Sequence, residues 1–370
     1  MVTPAASSIL APSGPPHGYL DTPSMGVPPW SAVDAMHAAV TAWAEGRGDF
    51  DVWERAMESC RGLFAEIAQV PATEVGLLPS VVPAVSAAAA TIARGSGNVV
   101  AHRKEFRSLL LPVLAQVPES LIRWVDGPYL SDTFISAMDQ DTDAVVVSAV
   151  SSHDGGRPSL TRLRRACEGA GARLVVDGTQ ATGIVVPDVP LQSLALFATA
   201  GYKGLRGPRG VAYAVAEQST VSGFASMSAY GVVDSDLRGS YGPPLIPKPG
   251  AQGLDQSPSW FGWVGAEPAL AELAAESSSL REERVVGLSA RVREHVVGLG
   301  AEPQPTDLPS PIVTFVSPDA EALVKRLAGA GIRATSRLGR VRVGFHVYND
   351  DRDVDELCNV LDDEKDLVRP

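Results

Sequence analysis

The chain has little lysine: Lys104, Lys203, Lys248, Lys325 and Lys365 are all it carries among 370 residues. Nearly all its basic charge is arginine, so a function that needs a nucleophilic amine has few side chains to draw on. Positive charge of any kind is in deficit, with 31 basic against 43 acidic side chains and a formal net charge of −12. Such a surface repels phosphate backbones and anionic lipid, which argues against nucleic acid and acidic membranes as partners. No apolar run approaches the roughly 20 residues that span a bilayer. Cys60, Cys167 and Cys358 lie far apart and leave one over, so neither a disulfide framework nor a metal site is expected. Cys167 and Cys358 read as packing residues in helical stretches. There is no GxxxxGK[ST] phosphate loop and no GxGxxG after a strand, which leaves a nucleotide loop and a nicotinamide cofactor without support. The N-terminal stretch MVTPAASSILAPSGPPHG has no basic region and little apolar sequence. It reads as an arm rather than a signal peptide, and the cytoplasm is the expected location.

What is present is an alternation. From about residue 75 to 217, helical stretches such as PAVSAAAATIARG (83–95) and SLTRLRRACEGAGA (159–172) alternate with short β-branched runs: NVVAHRKEF, SLIRWV, DAVVVSAV, RLVVDG, LFATAG and GVAYAVAE. This pattern predicts an α/β fold with a mainly parallel sheet and helices on both faces. In such sheets a ligand sits outside the carboxyl ends of the strands. Asp177 ends one strand and Lys203 follows another, so both are expected at one crevice. Residues 224–263 are rich in glycine, proline and serine and read as a long irregular excursion, functional or part of a subunit interface. A long helical stretch follows, then a small α+β unit: IVTFVSP, a helix at DAEALVKRLAGAGI, a strand at RVRVGFHV and a final helix near DDRDVDELCNVL. The expected division is an arm over 1–30 joining the small domain, a large domain over 31–260 and a small domain over 261–370.

Taken singly, an aspartate at a strand end commonly caps a turn and a lysine among glycines is commonly solvated. Together at matching strand ends they suit pyridoxal phosphate. That cofactor needs a lysine amine, an acid for its pyridinium nitrogen and a cradle of amides for its phosphate. Ser80, Val81 and Val82 stand just before a helix whose free N–H groups and dipole favour an anion, with Pro83 in the first turn.

DGTQA followed by AGYKGLRGPRG resembles the class V aminotransferase group of fold-type I pyridoxal-phosphate enzymes, which includes cysteine desulfurases, kynureninases, isopenicillin-epimerase-like proteins and ergothioneine-pathway C–S lyases. The resemblance covers most of the chain and implies a large domain, a small C-terminal domain and a homodimer whose active site is shared. YLDTPSMGVPP (19–29) is similar to the substrate-side segment, which implicates Ser24 and Met25. KEFRSLLLP (104–112) is similar to the loop over the cofactor, with Phe106 on the ring. Gln180 would bond the cofactor's phenolic oxygen and Lys203 would carry it. VRVGFHVYNDDRDVDEL (341–357) resembles the C-terminal motif whose arginine grips the substrate carboxylate, which assigns Arg342; a planar guanidinium matches a carboxylate in a two-point contact. His153 falls where relatives place a residue near the substrate or ring. The chain departs from the group at Val82, where threonine is common, at Ala200, where serine is frequent, and at Tyr202, often histidine, whose hydroxyl would serve the phosphate instead. GLDQSPSW (253–260) resembles the segment that reaches a neighbouring subunit's phosphate, with Gln256 and Ser257 in place of Gly-Thr.

The fold hosts many reactions. Desulfuration needs a nucleophilic cysteine shortly before the C-terminal arginine motif, and residues 301–341 contain none. The resemblance is then to actinobacterial lyases that trim cysteine conjugates. The expected reaction is β-elimination of an S-substituted L-cysteine, giving thiol, pyruvate and ammonia. Decarboxylation of such a substrate, with or without oxidation to an aldehyde, transamination, epimerisation and a catalytically silent scaffold remain as alternatives.

Overall fold

The structure is a computed structural model and describes residues 17–222, 228–233 and 246–369. The short apolar runs form the strands β1 (Val75–Leu78), β2 (Asn98–His102), β3 (Ile122–Val125), β4 (Thr142–Ser148), β5 (Arg173–Asp177), β6 (Leu196–Ala200) and β7 (Ala212–Ala216). They make one sheet in the order β1-β7-β6-β5-β4-β2-β3. From β3 to β6 the pairs are parallel. β7 departs from the simple alternation: no helix intervenes after β6, so the chain returns beside it antiparallel, and β1 pairs antiparallel with β7. The residues of β4 alternate between two cores. Val145 and Val147 join one, with Phe64, Leu163 and Cys167, while Ala144 and Val146 join the other, with Ala84, Val85 and Leu109. Both faces of the sheet are thus covered by helices, which is why its strands read as continuous apolar runs.

Helices not expected from the sequence include Trp30–Ala44, Phe50–Ala68 and Arg107–Leu114, the last beginning where NVVAHRKEF ends; the strand expected over that run stops at His102. The second carries a helical stripe of Trp53, Met57, Cys60 and Phe64, and Asp49 caps it by accepting from the Asp51 and Val52 amides. The long helical stretch after residue 260 is two helices, Trp260–Ala274 and Ser278–Gly298, parted where Ser277 caps the second. A small antiparallel sheet of β8 (Ile312–Val316), β10 (Arg340–Gly344) and β9 (Thr335–Arg337) lies in the last quarter of the chain, and β9 was not anticipated. The chain start joins it: Tyr19 bridges Arg333 and Asp21 bridges Gly344. Residues 1–16 of the expected arm, and 223–227 and 234–245 of the expected excursion, lie outside the described residues.

The end of the excursion is anchored from within. Asp255, 1% exposed, receives the Leu77 amide at 2.8 Å and the Arg61 guanidinium at 2.8 Å. Arg61 also donates to the carbonyl of Val75, and the Gln256 amide donates to that of Leu77. The pair thus fastens residues 254–256 to β1, just before Ser80. Glu58 accepts two further bonds from Arg61 at 2.9 Å, so removing Asp255 leaves the guanidinium with one carboxylate and strands the Leu77 amide. Asp255→Ala is expected to destabilise the protein by about 1–3 kcal/mol in denaturant unfolding, for the stranded amide and the weakened pair, and no measurable loss would show the pair to be solvated.

Candidate active site

Asp177 is the last residue of β5 and the chain turns there at Gly178, where a Cβ would meet the Phe197 ring at 2.1 Å. The Asp177 carboxylate is 4% exposed and accepts the Thr179 amide at 2.8 Å. Burial pushes its pKa up and the Thr179 bonds pull it back, while no cation among the described residues is hydrogen-bonded to it. Lys203 follows β6 in a glycine-flanked loop and is 5% exposed. Its Nζ lies 5.2 Å from the centre of the Phe106 ring and 5.7 Å from that of Tyr202. Burial lowers its pKa to about 8, against the attraction of Asp177 and with the repulsion of Arg342, Arg209 and Arg337. The loop is held closely. The Gly26 amide donates to the Tyr202 carbonyl at 2.9 Å, and a Cβ on Gly26 would meet the Lys203 carbonyl oxygen at 2.0 Å. Arg206 takes a positive φ of 60° and donates to the Val27 carbonyl at 2.9 Å.

These groups open onto one crevice. Its inner part, about 500 Å³, is lined by Ser80, Val81, Phe106, Asp177, Gln180, Tyr202 and Lys203, together with Arg209. Its outer part, about 980 Å³, shares Phe106, Gln180, Tyr202 and Lys203 and adds Ser24, His153 and Arg342. Val81 is the N-cap of the helix Val82–Ile92, so the free amides of that helix start at the inner cavity. Arg342, on β10, is 3% exposed. It donates to the Ser24 hydroxyl at 3.0 Å, the Ser152 carbonyl at 2.6 Å and the Thr335 hydroxyl at 3.3 Å, with Asp21 at 3.7 Å. Burial lowers even its pKa, to about 10. Gln180 is buried and its amide donates to the Pro23 carbonyl at 3.0 Å. The His153 ring lies 3.7 Å from the Asp154 carboxylate.

One expected residue, Met25, is not brought in. Val82 is the first helical residue and its side chain is 39% exposed, outside the inner cavity, which leaves its backbone amide, the group the sequence offers there. Met25 is 50% exposed because it is the Met25 carbonyl, bonded by the Tyr19 hydroxyl, that fixes this turn and not its side chain. Ser257 is exposed and lines neither part of the crevice in its own chain. Other residues were missed. Glu105 is buried beside Phe106 and accepts the Phe106 amide at 2.7 Å, the Ser148 hydroxyl at 2.6 Å, the Ser148 amide at 3.1 Å and a short bond from the Tyr129 hydroxyl. Burial raises its pKa, and the neighbouring Asp177 adds to the rise. Its only sequence signal was an acid set next to the aromatic of KEF. Arg209 stacks over Tyr202 at 4.7 Å and lines the inner cavity; the GPRG turn after the lysine was its only mark.

The donor set fits pyridoxal phosphate. A buried carboxylate without a hydrogen-bonded cation suits a pyridinium N–H, and a desolvated amine suits condensation with an aldehyde. Helix-start amides beside an arginine suit a phosphate, and an aromatic ring faces the amine.

Comparison with known proteins agrees with this fit. Residues 52–232 match the model of the family described as Aminotransferase class-V. No curated protein matches the chain by sequence. Solved structures with the same fold include the apo cysteine desulfurase of Thermococcus onnurineus NA1, 18% identical, TM-score 0.78, covering 94% of both chains. The cystine C–S lyase C-DES in complex with its product cysteine persulfide is 17% identical, TM-score 0.79, with 96% of this chain and 98% of that one covered. A C-DES mutant with glycine covalently linked to its PLP cofactor is 16% identical, TM-score 0.80, covering 94% and 96%. The matched span, just under half of the chain, is that of a class V aminotransferase, and the solved structures share its fold; the site's donor set fits the pyridoxal phosphate of such fold-type I enzymes.

Proposed function

We propose that this enzyme is a C–S β-lyase of the cytoplasm, acting on an S-substituted L-cysteine conjugate in secondary metabolism and releasing thiol, pyruvate and ammonia. The observation that carries the reading is the position of Lys203, whose buried amine faces both the inner cavity with Asp177 and the outer cavity with Arg342. Pyridoxal phosphate, when bound, supplies a sink for the electron pair left at Cα. Asp177 would keep the ring nitrogen protonated, since a proton shared with that buried carboxylate neutralises both groups. Phe106 would cover the ring and keep water from it, with its backbone held by Glu105. The amides at Ser80 and Val81, the Tyr202 hydroxyl and Arg209 would hold the phosphate, which makes up for Val82 and Ala200 having no hydroxyl to offer. Gln180 would face the ring's phenolic oxygen. Arg342, with Ser24, would take the substrate's α-carboxylate, and Lys203 would remove the Cα proton as general base. The thiolate would then leave Cβ with the C–S electron pair and take up the proton that Lys203 removed, and hydrolysis of the remaining three-carbon enamine by one water would give pyruvate and ammonia.

The cysteines favour this reading over desulfuration. Cys60 and Cys167 are buried, burial pushes the Cys167 thiol up to about 12 and the Cys358 thiol up to about 11, and none of the three lines the crevice. The exposed Ser257 is consistent with a homodimer in which that segment serves the partner's phosphate.

Mass spectrometry of products from an S-alkyl cysteine, with and without oxygen, tests the assignment. Thiol and pyruvate in both atmospheres are expected, whereas carbon dioxide with an S-linked amine or aldehyde would replace the lyase by a decarboxylase. Lys203→Ala is expected to abolish turnover while still binding the cofactor non-covalently, and undiminished activity would remove the lysine from the chemistry. Arg342→Ala is expected to weaken binding of a substrate amino acid by about 2–4 kcal/mol, as for truncation of one member of a buried charge pair; unchanged affinity in a calorimetric titration would move the carboxylate elsewhere. Lowering of the Lys203 pKa to about 8 makes the neutral amine dominant above that pH. Cofactor loading of the apo-enzyme is therefore expected to accelerate through about pH 8 and level off above it. A midpoint near the ordinary lysine value of about 10.4 would place the amine in water.

A further inference from the structure

Arg342 is one guanidinium and an α-carboxylate needs no more, yet the outer cavity is lined by further basic side chains from separate segments: Lys104 and Arg107 after β2, His153 after β4, and Arg337 at the end of β9. Among the described residues, no hydrogen bond or ion pair holds the side chain of Lys104 or Arg107. Arg337 donates, among the described residues, only to neutral oxygens, the Ser336 carbonyl at 2.8 Å and the Ser24 hydroxyl at 3.4 Å. The acids nearby are taken. Glu105 is buried and engaged by Ser148, Tyr129 and the Phe106 amide, Asp154 faces His153, and Asp21 lies by Arg342. In a chain of net charge −12, a mouth whose described residues present cations without a carboxylate partner and no exposed acid is arranged for an anion.

The turn between β9 and β10 adds an independent mark. It consists of Leu338 and Gly339, both at positive φ, 48° and 78°. A hairpin turn of this kind favours asparagine or glycine at its first position, and a leucine there is strained. Leu338 is also 79% exposed and lines the same outer cavity beside Arg337. A strained apolar side chain held in water at the mouth of a cationic cavity suits a ligand with a carbon body and a charged end.

We infer that the S-substituent of the cysteine conjugate bears an acidic group of its own, received by Lys104, Arg107 and Arg337 while Leu338 packs on the carbons that carry it. This rests on the lyase reading for the cysteine half only.

The holoenzyme would be assayed at low ionic strength with S-(2-carboxyethyl)-L-cysteine and with S-propyl-L-cysteine. A preference of roughly tenfold in kcat/KM for the carboxylated conjugate is expected, the combined effect of several partly exposed ion pairs. It should shrink towards unity in the triple variant Lys104→Gln, Arg107→Gln, Arg337→Gln. Equal kcat/KM for the two conjugates, or a preference that survives in the triple variant, would overturn the inference. Should neither conjugate turn over, the lyase reading fails. Calorimetric binding of glutarate against butyrate to the holoenzyme then decides the acidic-group inference alone: tighter glutarate binding that the triple variant loses supports it, and equal binding overturns it.

Discussion

A carboxylate and an amine of opposite charge, both almost fully withdrawn from water, govern this molecule. Asp177 and Lys203 share the inner cavity, yet among the described residues neither has a close ion pair, so Thr179 and their mutual attraction offset only part of the desolvation cost each carries. That cost is tolerable because the surroundings hold it in place. The β5–β6 pairing sets the two strand ends side by side, and Thr179 bonds both the Asp177 carboxylate and the Ala200 amide, tying one strand end to the other. A cofactor that brings a proton for the acid and an aldehyde for the amine relieves both at once. The site is tense without it.

The second layer of organisation is indirect. Glu105 touches neither part of the chemistry, yet its bonds reach the Phe106 amide and Ser148, the last residue of β4, which pairs with Asp177 in register. One buried acid thus fixes the loop over the cavity relative to the strand beneath it. Removing any partner would strand a polar group in an apolar setting, which is why such networks act together or fail together.

Much of this was legible from residue order, and the remainder was hidden for physical reasons. β4, β5 and β6 stood out because strands buried on both faces are continuous β-branched runs, and Asp177 and Lys203 stood out by punctuating their ends. Phe106, Gln180 and Arg342 needed motif resemblance, since an aromatic, an amide and an arginine in an alternating strand carry no periodic signal. The helix Phe50–Ala68 was legible too, since Trp53, Met57, Cys60 and Phe64 recur at helical spacing behind the Asp49 cap. β7 gives no local clue to its direction, because a strand's own residues are alike in either orientation and only the missing crossover helix decides. Met25 shows the limit of motif placement: a position in a motif fixes the backbone, while exposure decides whether the side chain faces the cavity.

The segment at residues 18–29 has a consequence for how the protein is made. Some of its partners come from the other end of the chain: Gly18 bonds Asp353 across 335 residues, and Ser24 bonds Arg342 across 318. Loop closure over such a span brings no local reward until the far partner exists. During synthesis, residues 23–27 can already meet Gln180, Tyr202 and Arg206 once the large sheet has assembled with Lys203 and Asp177 in place. Residues 18–21 and the Ser24 hydroxyl must wait until β10 and the helix that carries Asp353 leave the ribosome. The segment is therefore fastened in two stages, and the outer part of the crevice, with Arg342, is completed after the inner part.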